Sequence, residues 1–440
     1  MKREEKIEMI QEIIEKKDPY IGLYAELLLS MGDMKLNYRH TVLSCCVGYV
    51  AQAIVLNYIP LLYVTFQSEF GISLQTIALL TTVCFGVQLL IDLLAGKFVD
   101  KIGYRACGAA GNFLCAFGLV LLAFLPRILP PMAGLLTASL FYSAGAGLLE
   151  VIVSPVVEAC PTKHKESVMG FLHSAYCWGS VAVVLVSTLF FSLFGIGHWK
   201  LFACLWAIPP LVNAVFFLFV PLYKLPGAEE GAESGAKPHS FSALVRKPIF
   251  WLFVLLMLCA GASEQAVSQW ASAFAEQGLG VSKTVGDLAG PLAFAVLMGL
   301  CRVFYAANLR RISLEKFLLI GAAGCVAAYL LISLPPLPAL NLVGCALCGL
   351  FVGILWPGTY SLASKAMPTG GTTMFALLAL AGDLGCLSGP TLVGLVSGAA
   401  GDSLKAGILA AIAFPLLAVF GAILILRKKK KDALPLAEKD

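Results

Sequence analysis

Charge is what this chain has least of. Only 13% of its 440 residues are Asp, Glu, Lys or Arg, against 59% hydrophobic, and the mean hydropathy is +0.87. No soluble fold hides that much apolar surface. Other shortages narrow the function. The fourteen cysteines show no CxxC and no Cys/His ligand spacing, so they read as small packing residues without a metal centre or disulfide framework. There is no phosphate-binding loop, no nucleophile–base pair and no soluble domain to hold either. That argues against an enzyme and an ATP-driven pump, and no cofactor is expected. A filter-like segment, which a channel would supply, is also missing. Residues 1–18 lack the apolar core and cleavage site of a secretory signal. Instead Ile7, Ile10, Ile13 and Ile14 fall at helical spacing among Lys and Glu, as in a helix lying on a membrane surface or a frayed polar tail.

What is there in abundance is apolar runs. Twelve occur, at about 40–66, 73–96, 106–126, 131–158, 168–194, 201–221, 248–276, 285–308, 313–333, 338–364, 372–398 and 404–426. Each is long enough for a hydrocarbon core of ~30 Å. The expected fold is an all-α membrane protein of twelve transmembrane helices in two six-helix bundles. Residues 1–37 form an N-terminal extension, 38–221 and 248–427 the bundles, 222–247 a Gly-, Ala- and Glu-rich linker, and 428–440 a basic tail. Of the 31 Lys and Arg, 26 fall on the side of the two termini; Arg127, Lys200, Lys283 and Lys405 lie opposite and Arg302 within a run. Cationic loops resist translocation, so both ends are expected in the cytoplasm, with the protein in the cell membrane. The net charge of +5 then follows from topology and suits an anionic bilayer, not a nucleic acid.

The two halves repeat each other. Gly48, Gln52 and Ala53 in span one match Gly261, Gln265 and Ala266 in span seven. Gly147-Leu-Leu-Glu150 and Ala159-Cys-Pro161-Thr162 match Gly353-Ile-Leu-Trp356 and Ala366-Met-Pro368-Thr369. The stretch from Asp92 to Gly103 lines up with Arg302 to Ser313. The matches keep their order at offsets between 206 and 213, which duplication explains better than chance. Twin bundles with a site at their shared surface are transporter logic: rocking one against the other opens the site to alternate sides.

Between spans two and three, Gly96-Lys-Phe-Val-Asp100-Lys-Ile-Gly103-Tyr-Arg105 resembles the GxLaDrxGrr motif of the major facilitator superfamily, with Tyr104 where that family usually has a basic residue. The resemblance covers residues 38–427. It implies that Asp100 and Arg105 join a charge network in a cytoplasmic gate, with Glu158 as the natural partner; the same charges would also serve loop solubility alone. A narrower likeness, through Gly147-Leu-Leu-Glu150, Pro155, Phe171-Leu-His173-Ser-Ala-Tyr176 and Gly179, is to the fucose–galactose–glucose:proton symporter branch. It implies coupling by acids on spans four and one. Glu150 matches the first, whereas span one offers Asn57-Tyr58-Ile59-Pro60 and no carboxylate.

Ionisable residues within spans cost ~2.5–3.5 kcal/mol on insertion scales and mark ion or substrate routes, or structural pairs. Glu150, on a stripe with Ser154 and Glu158, is the leading coupling candidate, able to take up and release a proton near neutral pH. His173 and Asp383 join it as candidates. His173, Tyr176, Cys177 and Ser180 share one face of span five, where His173 relays protons or simply packs. For solute contact the candidates are Glu264, Gln265 and Gln269 on span seven, whose donors and acceptors suit hydroxyl groups, with Asn57 and Tyr176. Trp356 and Tyr360, one turn apart on span ten, offer rings on which a sugar face can stack, or core packing. Asp92, Gly96, Gly103 and Arg302 complete the expected gate. Arg302 is expected to pair with Asp383 or with Asp92. The reading is a monomeric, proton-coupled importer of a sugar or similar small polar solute. A drug or metabolite exporter of the same superfamily is the alternative.

Overall fold

A chain in hydrocarbon has to satisfy its own backbone, and a helix does so within one segment. The computed structural model describes residues 36–162, 165–223, 244–308, 313–367 and 371–437. Among them there is no strand. The expected surface helix and most of the linker lie outside the described residues.

Twelve helices are long and apolar enough to span: Tyr38–Phe70, Leu74–Leu94, Tyr104–Ile128, Pro131–Glu158, Phe171–Phe194, Ile196–Phe219, Pro248–Gly278, Lys283–Tyr305, Leu314–Ser333, Pro338–Ala366, Met374–Ala399 and Leu404–Lys428. They correspond one to one with the expected runs. Their alternation puts the first and last residues of the set on one face, here the terminal side; the opposite face is the far side. Large apolar side chains such as Leu189, Phe194, Val212 and Phe219 point outward, as lipid-facing surface requires. Polar groups are turned inward. Asn213 donates to the Ser44 carbonyl (2.9 Å) and to Asn112 Oδ1 (2.9 Å) and accepts from Ser44 Oγ (2.8 Å), tying spans one, three and six together. Lipid offers these amides no partner, so each must find one in a neighbouring helix.

Glycine sets how closely the helices pack. Spans seven and eleven run backbone on backbone: a Cβ on Gly385 would stand 2.0 Å from the Leu258 carbonyl oxygen, and one on Gly389 2.4 Å from that of Ala262. On the other side of the pair, a Cβ on Gly261 would stand 2.2 Å from the Gly382 oxygen. The repeat is equally visible in packing. Gly147 abuts Gln88 and Ile91 of span two, and its counterpart Gly353 abuts Met298 and Cys301 of span eight. Those neighbours are themselves 210 positions apart.

Both halves also interrupt their first helix near the far side. In span one the α-helix Tyr38–Tyr58 gives way to a tight turn at Ile59–Leu62 containing Pro60, then resumes over Tyr63–Phe70. Proline removes a donor and disturbs the regular ladder, which frees carbonyl groups there for other partners. In span seven the helix Pro248–Ser268 is followed by Ala271–Ala273 and a wide turn at Phe274–Gly278.

Candidate functional site

The freed carbonyls of span one are used. Lys283, at the far end of span eight, donates to the Leu61 oxygen (2.5 Å) across the boundary between the halves. The same ammonium pairs with Asp287 at 3.2 Å and Glu276 at 3.7 Å. Asp287 is 1% exposed. It accepts from Ser272 of span seven (2.5 Å) and from Thr188 of span five (3.4 Å), a second link between halves. Nearby, Gln269 donates to the Leu56 carbonyl (3.2 Å), Tyr63 packs on Trp270 at 5.3 Å, and Thr82 meets Thr391 at 2.6 Å. The far side is therefore held shut by spans one with seven, two with eleven, and five with eight. Lys283→Met leaves Asp287 buried without its cation, a loss of about 3 kcal/mol. Spin labels at Ser68 and Gln277 should then report a population of longer distances; an unchanged distribution would show that the ion pair does not hold this side closed.

Nearer the middle of the membrane, two seams between the halves carry the ionisable residues. At the seam of spans two and eleven, Asp92 and Asp383 meet carboxyl to carboxyl, and Asp92 Oδ1 is buried without a donor. Glu150 lies close by on span four and accepts from Gln52 Nε2 at 2.8 Å. At the seam of spans five and eight, Arg302 donates to Cys177 Sγ (3.1 Å) and to Glu264 Oε2 (3.4 Å). Its Nε has no partner. The expected pairing of Arg302 with Asp383 or Asp92 is thus replaced by pairing with Glu264. Span eight faces spans five and seven here, whereas both aspartates sit on the other seam.

The remaining candidates fall into place around these groups. His173 is exposed, its ring 5.6 Å from that of Tyr49, and Tyr49 in turn hydrogen-bonds Ser154 at 3.1 Å. Because Cys177, one turn on, reaches Arg302, the face His173 shares points between the helices, and its exposure is to an interior space. Tyr176 lies on that face, near Glu264 and Arg302. Asn57 donates to Ser180 (3.0 Å) and its own helix, so it ties span one to span five. Gln265 donates to Glu264 (3.2 Å) and accepts from Ser268 and Gln269 (both 3.1 Å). Gln269 also belongs to the far-side closure. Trp356 and Tyr360 make an edge contact at 6.2 Å. Trp356 covers Gly382, leaving no room for a Cβ there, and Tyr360 lies 5.5 Å from Phe375. Both rings are packed on span eleven beside Asp383.

At the terminal side, Gly103 takes φ +91°, open only to glycine at low cost, and ends span two's helix. Arg105 donates to the carbonyls of Phe217 (3.3 Å) and Leu218, closing off the end of span six. That is a helix C-terminus, where a cation is favoured. The side chains of Gly96's neighbourhood and of Asp100 lie outside the described residues. Glu158 is exposed at the end of span four. All fourteen cysteines are free thiols.

Several participants were not singled out by sequence. Gln52 was visible as part of the GxxxQA repeat, and its repeat partner Gln265 likewise gives its amide to a glutamate within a span. Lys283 and Asp287 carry a signal too, a cation and an acid four positions apart where a span begins. Tyr49 has none beyond its place in span one.

A family model described as Major Facilitator Superfamily matches residues 42–390. It matches at the level of the superfamily, not of the symporter branch. No curated protein matches. Among solved structures, the chain is similar to a bacterial homologue of the human lysosomal transporter Spinster. In its inward-facing, unoccupied conformation the identity is 15% and the TM-score 0.71, covering 90% of this chain and 98% of that one. In its inward-facing, occupied conformation the identity is 15% and the TM-score 0.67, covering 88% and 96%. At that identity the likeness speaks for the fold.

Proposed function

The chain belongs to the major facilitator superfamily, and from that premise we propose that this multi-pass secondary transporter imports a small polar solute together with protons by alternating access. The observation that carries the reading is Glu150. Its carboxyl group sits inside span four, about two-thirds of the way from the far side, held by the Gln52 amide, and among the described residues no Lys or Arg pairs with it. An acid placed there without a cation suits a proton carrier better than a structural ion pair. The Asp92–Asp383 contact supports the same reading, because two carboxyls in contact need a proton or another cation between them. Polar groups on spans five and seven favour a hydroxylated, sugar-like solute over a lipophilic drug.

Orientation and conformation bear on direction. Because 26 of the 31 Lys and Arg lie on the terminal side, we assign that side to the cytoplasm and the closed far side to the exterior. In that orientation the contacts between the halves close the exterior side. We assign function to the single chain, in the cell membrane. Right-side-out vesicles loaded with a panel of labelled solutes test the proposal. Uptake that collapses on adding a protonophore is expected. Extrusion of dyes without solute uptake would instead identify an exporter.

A further inference from the structure

The two central seams are related by the internal repeat, yet they are opposite in charge. Asp92 on span two corresponds to Arg302 on span eight, and His173 on span five to Asp383 on span eleven, each pair 210 positions apart. One seam therefore sets acid against acid and the other sets two basic side chains near each other. A proton-coupled carrier has a use for the acid seam. The basic seam is not explained by proton binding.

Arg302 is poorly served by its own protein. Its side chain is 30% exposed, and of its five N–H donors one meets a thiol and one meets a single carboxylate oxygen at the long distance of 3.4 Å. Nε, buried, meets nothing. A guanidinium prefers a planar carboxylate taken two-pronged through adjacent N–H groups. Glu264, tethered to span seven and engaged with Gln265 by its other oxygen, reaches only one prong. A free carboxylate is under no such tether. Room exists next to it: Gly299, nearly one turn along span eight, is buried, and a Cβ built on it would meet no heavy atom within 4 Å.

We propose that the transported solute is an organic anion whose carboxylate docks on Arg302 at the seam of spans five and eight, displacing Glu264. The inference rests on the transporter reading above and names the class of its solute. Glu264 acts as an internal substitute for the ligand, neutralising Arg302 when the site is empty and competing with the solute for it. His173 and Tyr176, on the facing side of span five, are placed to receive the rest of the head group. The acid seam is left for the coupling proton, so anion and proton do not compete.

Matched probes decide it. Equilibrium binding to purified protein, by calorimetry, is measured for carboxylates (gluconate and lactate), neutral analogues (glucose and glycerol) and an amine (glucosamine). A carboxylate should bind at least tenfold more tightly than its neutral and amino counterparts. Arg302→Gln should erase that preference, and Arg302→Lys should recover only part of it. Glu264→Gln, which removes the competitor without a change of shape, should tighten carboxylate binding several-fold. It also keeps the test meaningful should Arg302→Gln fold poorly. Equal or better binding of the neutral or amino probes, no binding of either carboxylate, or weaker carboxylate binding in Glu264→Gln would overturn the assignment. These measurements need no gradient. Intact carboxylate binding with no protonophore-sensitive uptake would fault the transport reading alone.

Discussion

Glu150→Gln is expected to abolish uphill accumulation while leaving exchange of solute across the membrane intact. The substitution keeps the size of the side chain, and an amide at 150 can still face the Gln52 amide, so the packing of spans one and four is preserved. What disappears is the ability to change protonation. A proton carried with one solute carboxylate moves no net charge, so the drive is the proton's own gradient, ~1.4 kcal/mol or tenfold accumulation for each pH unit. A carrier without its titrating group loses that whole factor and equilibrates its solute instead. Counterflow, in which labelled solute exchanges for unlabelled solute already inside, requires no driving ion and should proceed. Normal accumulation by the variant would move the proton site to the Asp92–Asp383 contact. Loss of counterflow as well would make Glu150 part of the solute site.

A larger effect on stability is expected at Gly385. Its missing side chain is what lets span eleven lie on the backbone of span seven, with the position a Cβ would take only 2.0 Å from the Leu258 oxygen. No rotamer change relieves a clash between a Cβ and a carbonyl oxygen. Gly385→Ala therefore forces the helices apart along the contact made by Gly382, Gly385 and Gly389. Overpacking of this kind costs about 1–3 kcal/mol where side chains can adjust, and here the obstacle is backbone. Thermal unfolding in detergent should show a fall of roughly 3 °C or more for a chain of this length. Gly299→Ala serves as the control, since a Cβ there meets no heavy atom within 4 Å. Equal melting temperatures for the two variants would show that spans seven and eleven are not so closely packed.

The architecture was legible because it depends on composition over long stretches. Twelve apolar runs became twelve spans, and the three repeat matches became a packing symmetry, as with Gly147 and Gly353 in their respective bundles. The rare charges within spans were just as readable as individual residues, since each is costly enough to need a reason. Their pairing was not. Whether Arg302 meets Asp383, Asp92 or Glu264 depends on which helices share a seam and how they are rotated, and neither is encoded within one span. The far-side closure was missed for a related reason. Lys283 counted only as a loop cation, and its partner is a carbonyl group exposed by a break in a different helix. Arg105 shows the converse: a motif residue expected in a charge network also finishes a neighbouring helix, a contact the motif does not announce.

The hook of Lys283 on Leu61 has an implication for how this protein tolerates change. Every residue type presents the same carbonyl oxygen, so replacing Leu61 leaves the acceptor where it is. The hydrogen bond is therefore indifferent to the side chain at 61, which is fully buried and constrained by packing alone; the vulnerability of the hook passes to Pro60, which shapes the break, and to Lys283, which has to reach it. Random mutagenesis should therefore find gate defects at positions 60 and 283 and only a loss of packing at 61, so the residue that makes the contact would register in a genetic screen as one more core position.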